Sequence, residues 1–287
     1  MIEGAAERLA TGMAFAEGPA WVASHGTLLF TDIPRSRIMA WREGRLEAWL
    51  EGARFAIGLA LGRDGRLLAC EHGARAVSAI EVRADGLPGT REVVAGSAGG
   101  RLLNSTNDVV AARDGSVLFT DPPYGVREED GALVGYSQAM EQPHCGVWRA
   151  TRDPTAPELL SGEVHRPNGL CLSPDERTLY VSDSSERFRK VVAFDVGAGW
   201  RLSGPRDLAV MPVGVPDGMR VDEGGNLWVG GGDGVHVWSP EGRPLAHVPV
   251  PEMVTNLEWG GEDGRDLFVT AVSSLYRVRT AVRSGRA

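Results

Sequence analysis

The chain has 287 residues, 43% hydrophobic and 24% charged, enough for a substantial core in one large β domain or two ordinary ones. Its net charge of −8, with no long basic run, argues against nucleic acid or an anionic membrane surface as the main partner. No apolar run approaches the length of a membrane span, and the opening MIEGAAERLATG lacks the basic and apolar regions of a signal peptide. Cys70, Cys145 and Cys171 are odd in number and far apart, which predicts reduced thiols in a cytoplasmic protein rather than a disulfide framework or a zinc site.

A repeated segment runs through the chain. It reads EGPAWVASHGTLLFTDI from Glu17, IGLALGRDGRLLACEHG from Ile57 and NDVVAARDGSVLFTDPP from Asn107. It returns as NGLCLSPDERTLYVSDS from Asn168, DGMRVDEGGNLWVGGGD from Asp217 and NLEWGGEDGRDLFVTAV from Asn256. The starts lie 40, 50, 61, 49 and 39 residues apart. Each unit holds a short strand, an Asp/Gly-type turn and a second strand. A third strand follows (RIMAWREG in the first unit, KVVAFDV in the fourth), then a fourth where there is room. Four-stranded repeats of this length predict an all-β fold, a six-bladed β-propeller spanning residues 1–287 as one domain. A large β-sandwich is the competing architecture. The sixth unit lacks its fourth strand, and AERLATGM at the N-terminus has the character to supply it and close the ring.

First strands of propeller blades line the central channel, so Glu17, Ile57, Asn107, Asn168, Asp217 and Asn256 converge. Glu17 is then expected to face Asn107, Asn168 and Asp217 across the channel mouth. Carboxylates brought together repel unless a cation or proton lies between them. Carboxylate and amide oxygens suit calcium, magnesium or manganese, and no His or Cys joins the set. Taken singly, each residue reads more often as structural, a turn Asn, an Asp cap or a hydrogen-bonded core polar group; it is their shared phase in a closed repeat that points to a metal.

The stretches AEGPAW, NSTNDVV, FTDPPYG, RPNGLCLSPDERTLYVSDS, PDGMRVDEGGNLWVGG and TNLEWGGEDGRDLFVT resemble the SMP-30/gluconolactonase, or regucalcin-like, family from about Glu17 to about Tyr276. The resemblance implies a six-bladed propeller that holds one divalent cation through Glu17, Asn168 and Asp217, with Asn107 completing the shell or contacting substrate. It implies hydrolysis of a small sugar-type lactone. Calcium is the common ion, and zinc, magnesium, manganese and iron(II) serve in members. Asp217 is the expected general base or direct nucleophile. Two departures stand out. Thr106 replaces the Pro of the usual NSPND, and Ser105 stands where some members carry a substrate-binding Arg, which tilts the substrate towards less polar lactones.

The longest insertion, residues 126–145, follows DPPYG directly and is either a lid or an ordered surface loop. Ser105, Tyr124, Asn107 and His144 are the expected substrate contacts, with Met140 and Phe188 placed near the mouth. His25 and His72 fall near turns and read as surface residues. GGGDG at 230–234 is a tight strand-to-strand passage, not a phosphate loop. Two other functions fit the same features: action on a non-sugar lactone, ester or phosphotriester, and a non-enzymatic calcium-binding regulatory propeller.

Overall fold

The turns inside the repeats use one piece of chemistry. In GRDGR, Gly65 takes φ +81° and the Asp64 carboxylate accepts the Arg66 N–H at 3.1 Å. Gly115 (φ +85°) with Asp114, and Gly225 (φ +84°) with Asp222, repeat it in blades three and five. Asp closes the turn on its own backbone and Gly supplies the left-handed residue, so each apolar run is folded back against the next as an antiparallel pair.

The computed structural model describes residues 1–126, 135 and 138–285. Six four-stranded antiparallel sheets form the blades. Their innermost strands are Ala16–Val22, Ala56–Leu61, Val109–Ala111, Pro167–Leu172, Met219–Val221 and Val254–Gly260. In the last blade the outermost strand is Glu7–Thr11, paired with Ser274–Arg279, so the N-terminal segment closes the ring as its sequence predicts and a sandwich is excluded. A two-stranded hairpin, Ser97–Ala98 with Arg101–Leu102, sits between blades two and three and was not legible in the repeats. Among the described residues the helical elements are short 3-10 segments, and no helix is long and apolar enough to cross a membrane. No disulfide joins Cys70, Cys145 and Cys171, all of which lie among the described residues.

The core is distributed over the interfaces between blades. Leu68, Cys70 and Val77 of blade two pack against Val109, Phe119 and Trp148 of blade three. Trp228 and Val235 of blade five meet Leu257 and Leu267 of blade six. Met13, Phe30 and Met39 meet Phe268 and Leu275 across the closure. Phe119 is wholly buried, so Phe119→Ala should cost about 3–5 kcal/mol, read as a lower urea midpoint.

Near the axis, glycine permits the close approach of successive blades. A Cβ on Gly18 would lie 2.0 Å from the Ile57 carbonyl oxygen, one on Gly58 2.4 Å from that of Asn107, and one on Gly169 2.4 Å from that of Asp217. Gly18 also has φ +54°. Gly18→Ala should therefore destabilise the ring by about 1–3 kcal/mol, measurable in the same urea titration.

Candidate active site

Three of the six inner-strand ring positions are set by one device. The Asp that ends the second strand of a blade accepts two backbone N–H groups from the loop entering that blade. Asp32 holds Ala14 and Phe15, ahead of Glu17. Asp121 holds Asn104 and Ser105, ahead of Asn107. Asp183 holds His165 and Arg166, ahead of Asn168. The recurring TD and SD of TLLFTD, VLFTD and TLYVSD are thus anchors for the channel-facing residues.

Those residues meet as the repeat phase requires. The Asn107 side-chain amide donates to Asn168 Oδ1 at 2.5 Å. Asn168 in turn hydrogen-bonds to the Asp217 carboxylate. On the far side of the ring, Asn256 Nδ2 donates to Glu17 Oε1 at 2.9 Å. Glu17, Asn107 and Asn168 are buried, whereas Asp217 is partly exposed. Within this ring, two buried oxygens among the described residues have no hydrogen-bond partner: Glu17 Oε2 and Asn107 Oδ1. A buried acceptor left unmatched costs about 1–3 kcal/mol, and more when charged.

The electrostatics of the ring are one-sided. Burial first, then the charges of Asp217 and Asp108, push the Glu17 carboxyl well above its usual range, against the Asn256 hydrogen bond and the more distant Arg220. Burial, then Asp108, pushes Asp217 up to about 8, against the Asn168 and Gly218 hydrogen bonds. Asp108 is itself raised by burial, and the Arg220 charge only partly offsets this. Arg220 is engaged by Glu258 at 2.9 Å. The Arg220 guanidinium thus interacts with Glu258, Asp108 and Glu17, while Asp217 feels the Asp108 charge without a cationic partner of its own among its main influences. Two unmatched buried oxygens beside this excess of negative charge fit a divalent cation, and the all-oxygen donor set favours a hard one.

Asp108 and Arg220 were missed in the sequence, although Asp108 left a signal. At its phase, one residue after the ring position, blades one, two, four and five carry Gly18, Gly58, Gly169 and Gly218. Asp108 replaces that glycine and spends its oxygens on the Val109 and Leu170 N–H groups.

The other expected contacts divide. Ser105 is fully buried, and its hydroxyl donates to the Pro122 carbonyl at 2.6 Å and accepts the Gly125 N–H at 2.9 Å. This corrects its reading as a substrate contact: the short side chain is consumed in pinning DPPYG to NSTND. Tyr124 is half-buried on that pinned segment. His144, an expected substrate contact, packs against Gly162, just past the outermost strand of blade three. His72 is 1% exposed, not at the surface, because Gly125 of the DPPYG segment closes over it. Met140 and Phe188 are exposed, and Phe188 packs edge-on to His165.

Of the 126–145 insertion, residues 127–134 and 136–137 lie outside the described residues, so the lid expectation falls largely there. The remainder is docked on its neighbours. The Gln142 amide donates to the carbonyls of Ala98, Arg101 and Leu102, and Glu141 accepts from Arg75 and from the Leu102 N–H.

A closed six-bladed ring with carboxylates and amides gathered at its axis defines a propeller built around a central polar site. The chain belongs to the SMP-30/Gluconolactonase/LRE-like region family, whose profile matches residues 15–273. It is 30% identical to the gluconolactonase of Zymomonas mobilis over 96% of this chain and 81% of that protein. It is 27% identical to the pentonolactonase XacC of Haloferax volcanii over 91% and 82% of the two chains. The structure of a gluconolactonase from Xanthomonas campestris superposes with a TM-score of 0.87 at 36% identity, covering 96% of this chain and 89% of that one.

Proposed function

We propose that this chain, as one propeller domain, is a divalent-metal-dependent hydrolase that opens a small sugar-type lactone. The observation that carries the reading is the buried ring itself: burial and the Asp217 and Asp108 charges raise the proton affinity of Glu17, while Glu17 Oε2 and Asn107 Oδ1 stand unmatched beside them. Support for the substrate class comes from relatives named gluconolactonase and pentonolactonase that align along nearly the whole chain.

Glu17, Asn107, Asn168 and Asp217 would hold the cation, with calcium first among hard ions and magnesium, manganese, zinc and iron(II) as competitors. When bound, it would supply Lewis-acid polarisation of the lactone carbonyl and offset the negative charge that develops on that oxygen. The division of labour between the two carboxylates follows from exposure. Glu17 is sealed in the channel wall, so it serves to bind and to fix the ring. Asp217 is partly exposed, so its carboxylate is the one assigned to take a proton from the attacking water or to attack the carbonyl carbon itself. In either route one water is consumed, the acyl–oxygen bond breaks, and the ring oxygen leaves as the hydroxyl of a hydroxy acid. Asn107 and Asn168, joined to each other and to Asp217, hold that carboxylate in orientation.

The test is a pH-indicator assay on chelated protein, with calcium, magnesium, manganese, zinc or iron(II) restored singly. Its substrates are aldonolactones, alkyl lactones and a phosphotriester. Metal-restored turnover of aldonolactones is the expected result. Turnover of only alkyl lactones or the phosphotriester would keep the site and move the substrate class. Tight cation binding without turnover of any of them would favour the regulatory, non-enzymatic reading.

A further inference from the structure

We infer that blade five carries a second metal site outside the central ring, where Asp233, His236 and His247 bind a borderline transition cation of the zinc, nickel or copper type. His236 and His247 stand directly opposite one another on the paired strands Gly234–Trp238 and Pro244–Pro249. Their rings stack with centroids 4.3 Å apart at 22°, and Trp238 stacks on His236 as well. Asp233 Oδ1 lies 2.7 Å from His236 Nε2 and 3.6 Å from His247 Nε2. The ligand atoms of all three residues fall within 4.8 Å of one another.

Donors around a tetrahedral zinc at about 2.0–2.1 Å are roughly 3.3 Å apart, so small side-chain rotations convert this cluster into a three-ligand site with one open position. Two imidazoles and a carboxylate suit zinc, copper or nickel, in contrast to the all-oxygen ring at the axis.

The backbone prepares the cluster. The GGGDG stretch makes the turn, and Gly234 sits at φ +144°. A Cβ there would lie 2.9 Å from His247 Nε2 and 2.1 Å from the Val248 carbonyl oxygen, so glycine keeps open the space in which that nitrogen lies. His236 is held rigid, with an 11% exposed side chain, while those of Asp233 and His247 are each 37% exposed and leave an ion a route in. The turn is tied to the central site through backbone bonds, Gly232 N–H to Val213 and Asp217 N–H to Gly230, so both sites open at the same end of the propeller. The alternative is a cross-strand imidazole pair that shares one carboxylate by hydrogen bonding alone.

The full-length chelated protein, saturated with calcium, separates the two. Titration with Zn2+ should show a nitrogen-ligated site, and Cu2+ should give an electron paramagnetic resonance signal coupled to two imidazole nitrogens. The axial ring offers side-chain oxygens, so this signature is specific to blade five. His247→Ala should weaken Zn2+ binding by at least about 100-fold and reduce the coupling to one nitrogen, with calcium-supported lactone turnover unchanged. Asp233→Asn should weaken Zn2+ with both nitrogens retained. A copper signal without nitrogen coupling, or Zn2+ isotherms unaltered in both variants, would overturn the proposal.

Discussion

Asp217→Asn should lower kcat/KM for the best lactone by about 1,000-fold or more, because the amide can neither take a proton from water nor attack the carbonyl. The loss should fall on kcat and persist at saturating cation. Glu17→Gln should fail differently. It removes a charge from the cation-holding wall, so the cation concentration for half-maximal turnover should rise steeply before kcat falls. Both variants should fold, since neither side chain packs the apolar interfaces between blades. In chelator near pH 8, Asp217→Asn should even be more stable than the parent, because it removes a carboxylate that the channel resists ionising. Full activity in either variant would remove the residue from the proposed site.

Chelation should make the protein lose stability as pH rises. In the folded, metal-free protein Asp217 holds its proton up to about 8, and Glu17 and Asp108 are also raised. In the unfolded chain these groups release protons near their ordinary values of about 4. The native state therefore binds more protons than the unfolded state between about pH 4 and about pH 8. Stability is full below that window and falls through it as the pH rises. A divalent cation replaces those protons, so its binding should release protons and tighten over the same range. At 100 times its dissociation constant a cation adds about 2.7 kcal/mol, roughly 5–10 °C in melting temperature for a chain of this size. Melting temperatures taken from about pH 5 to about pH 8.5, with and without cation, read this directly. The chelated curve should decline with pH and the loaded one stay level. Parallel curves would show that the ring carboxylates do not hold the ion.

Much of this was legible because a propeller is a periodic object. The spacing of the six units, the Asp/Gly turns and the missing last strand were enough to predict the blades and the closure by AERLATGM. The same phase put Glu17, Asn107, Asn168, Asp217 and Asn256 on one ring, since equivalent positions on symmetric blades face one axis. Legibility ended where residues leave the repeat. Ser105 occupies a promising place in the sequence, yet its hydroxyl bonds are both taken within the loop it anchors. His72 follows a strand end, where exposure is usual, but a loop from the neighbouring blade covers it. Asp233 and His236 lie three residues apart on one turn and strand of blade five, but His247 comes from the next strand, and only strand pairing brings it to them.

The amino-acid sequence by itself determined the architecture and the ring of oxygen-bearing residues, because both follow from local turn chemistry and from a period repeated around a closed circle. The tertiary structure alone decided which ring oxygens are left unmatched, which carboxylates share a field, and that Asp217 is more exposed than Glu17. These depend on burial and on distances between blades far apart in the chain, and dielectric screening and hydrogen-bond saturation are properties of that packed neighbourhood rather than of any residue's type.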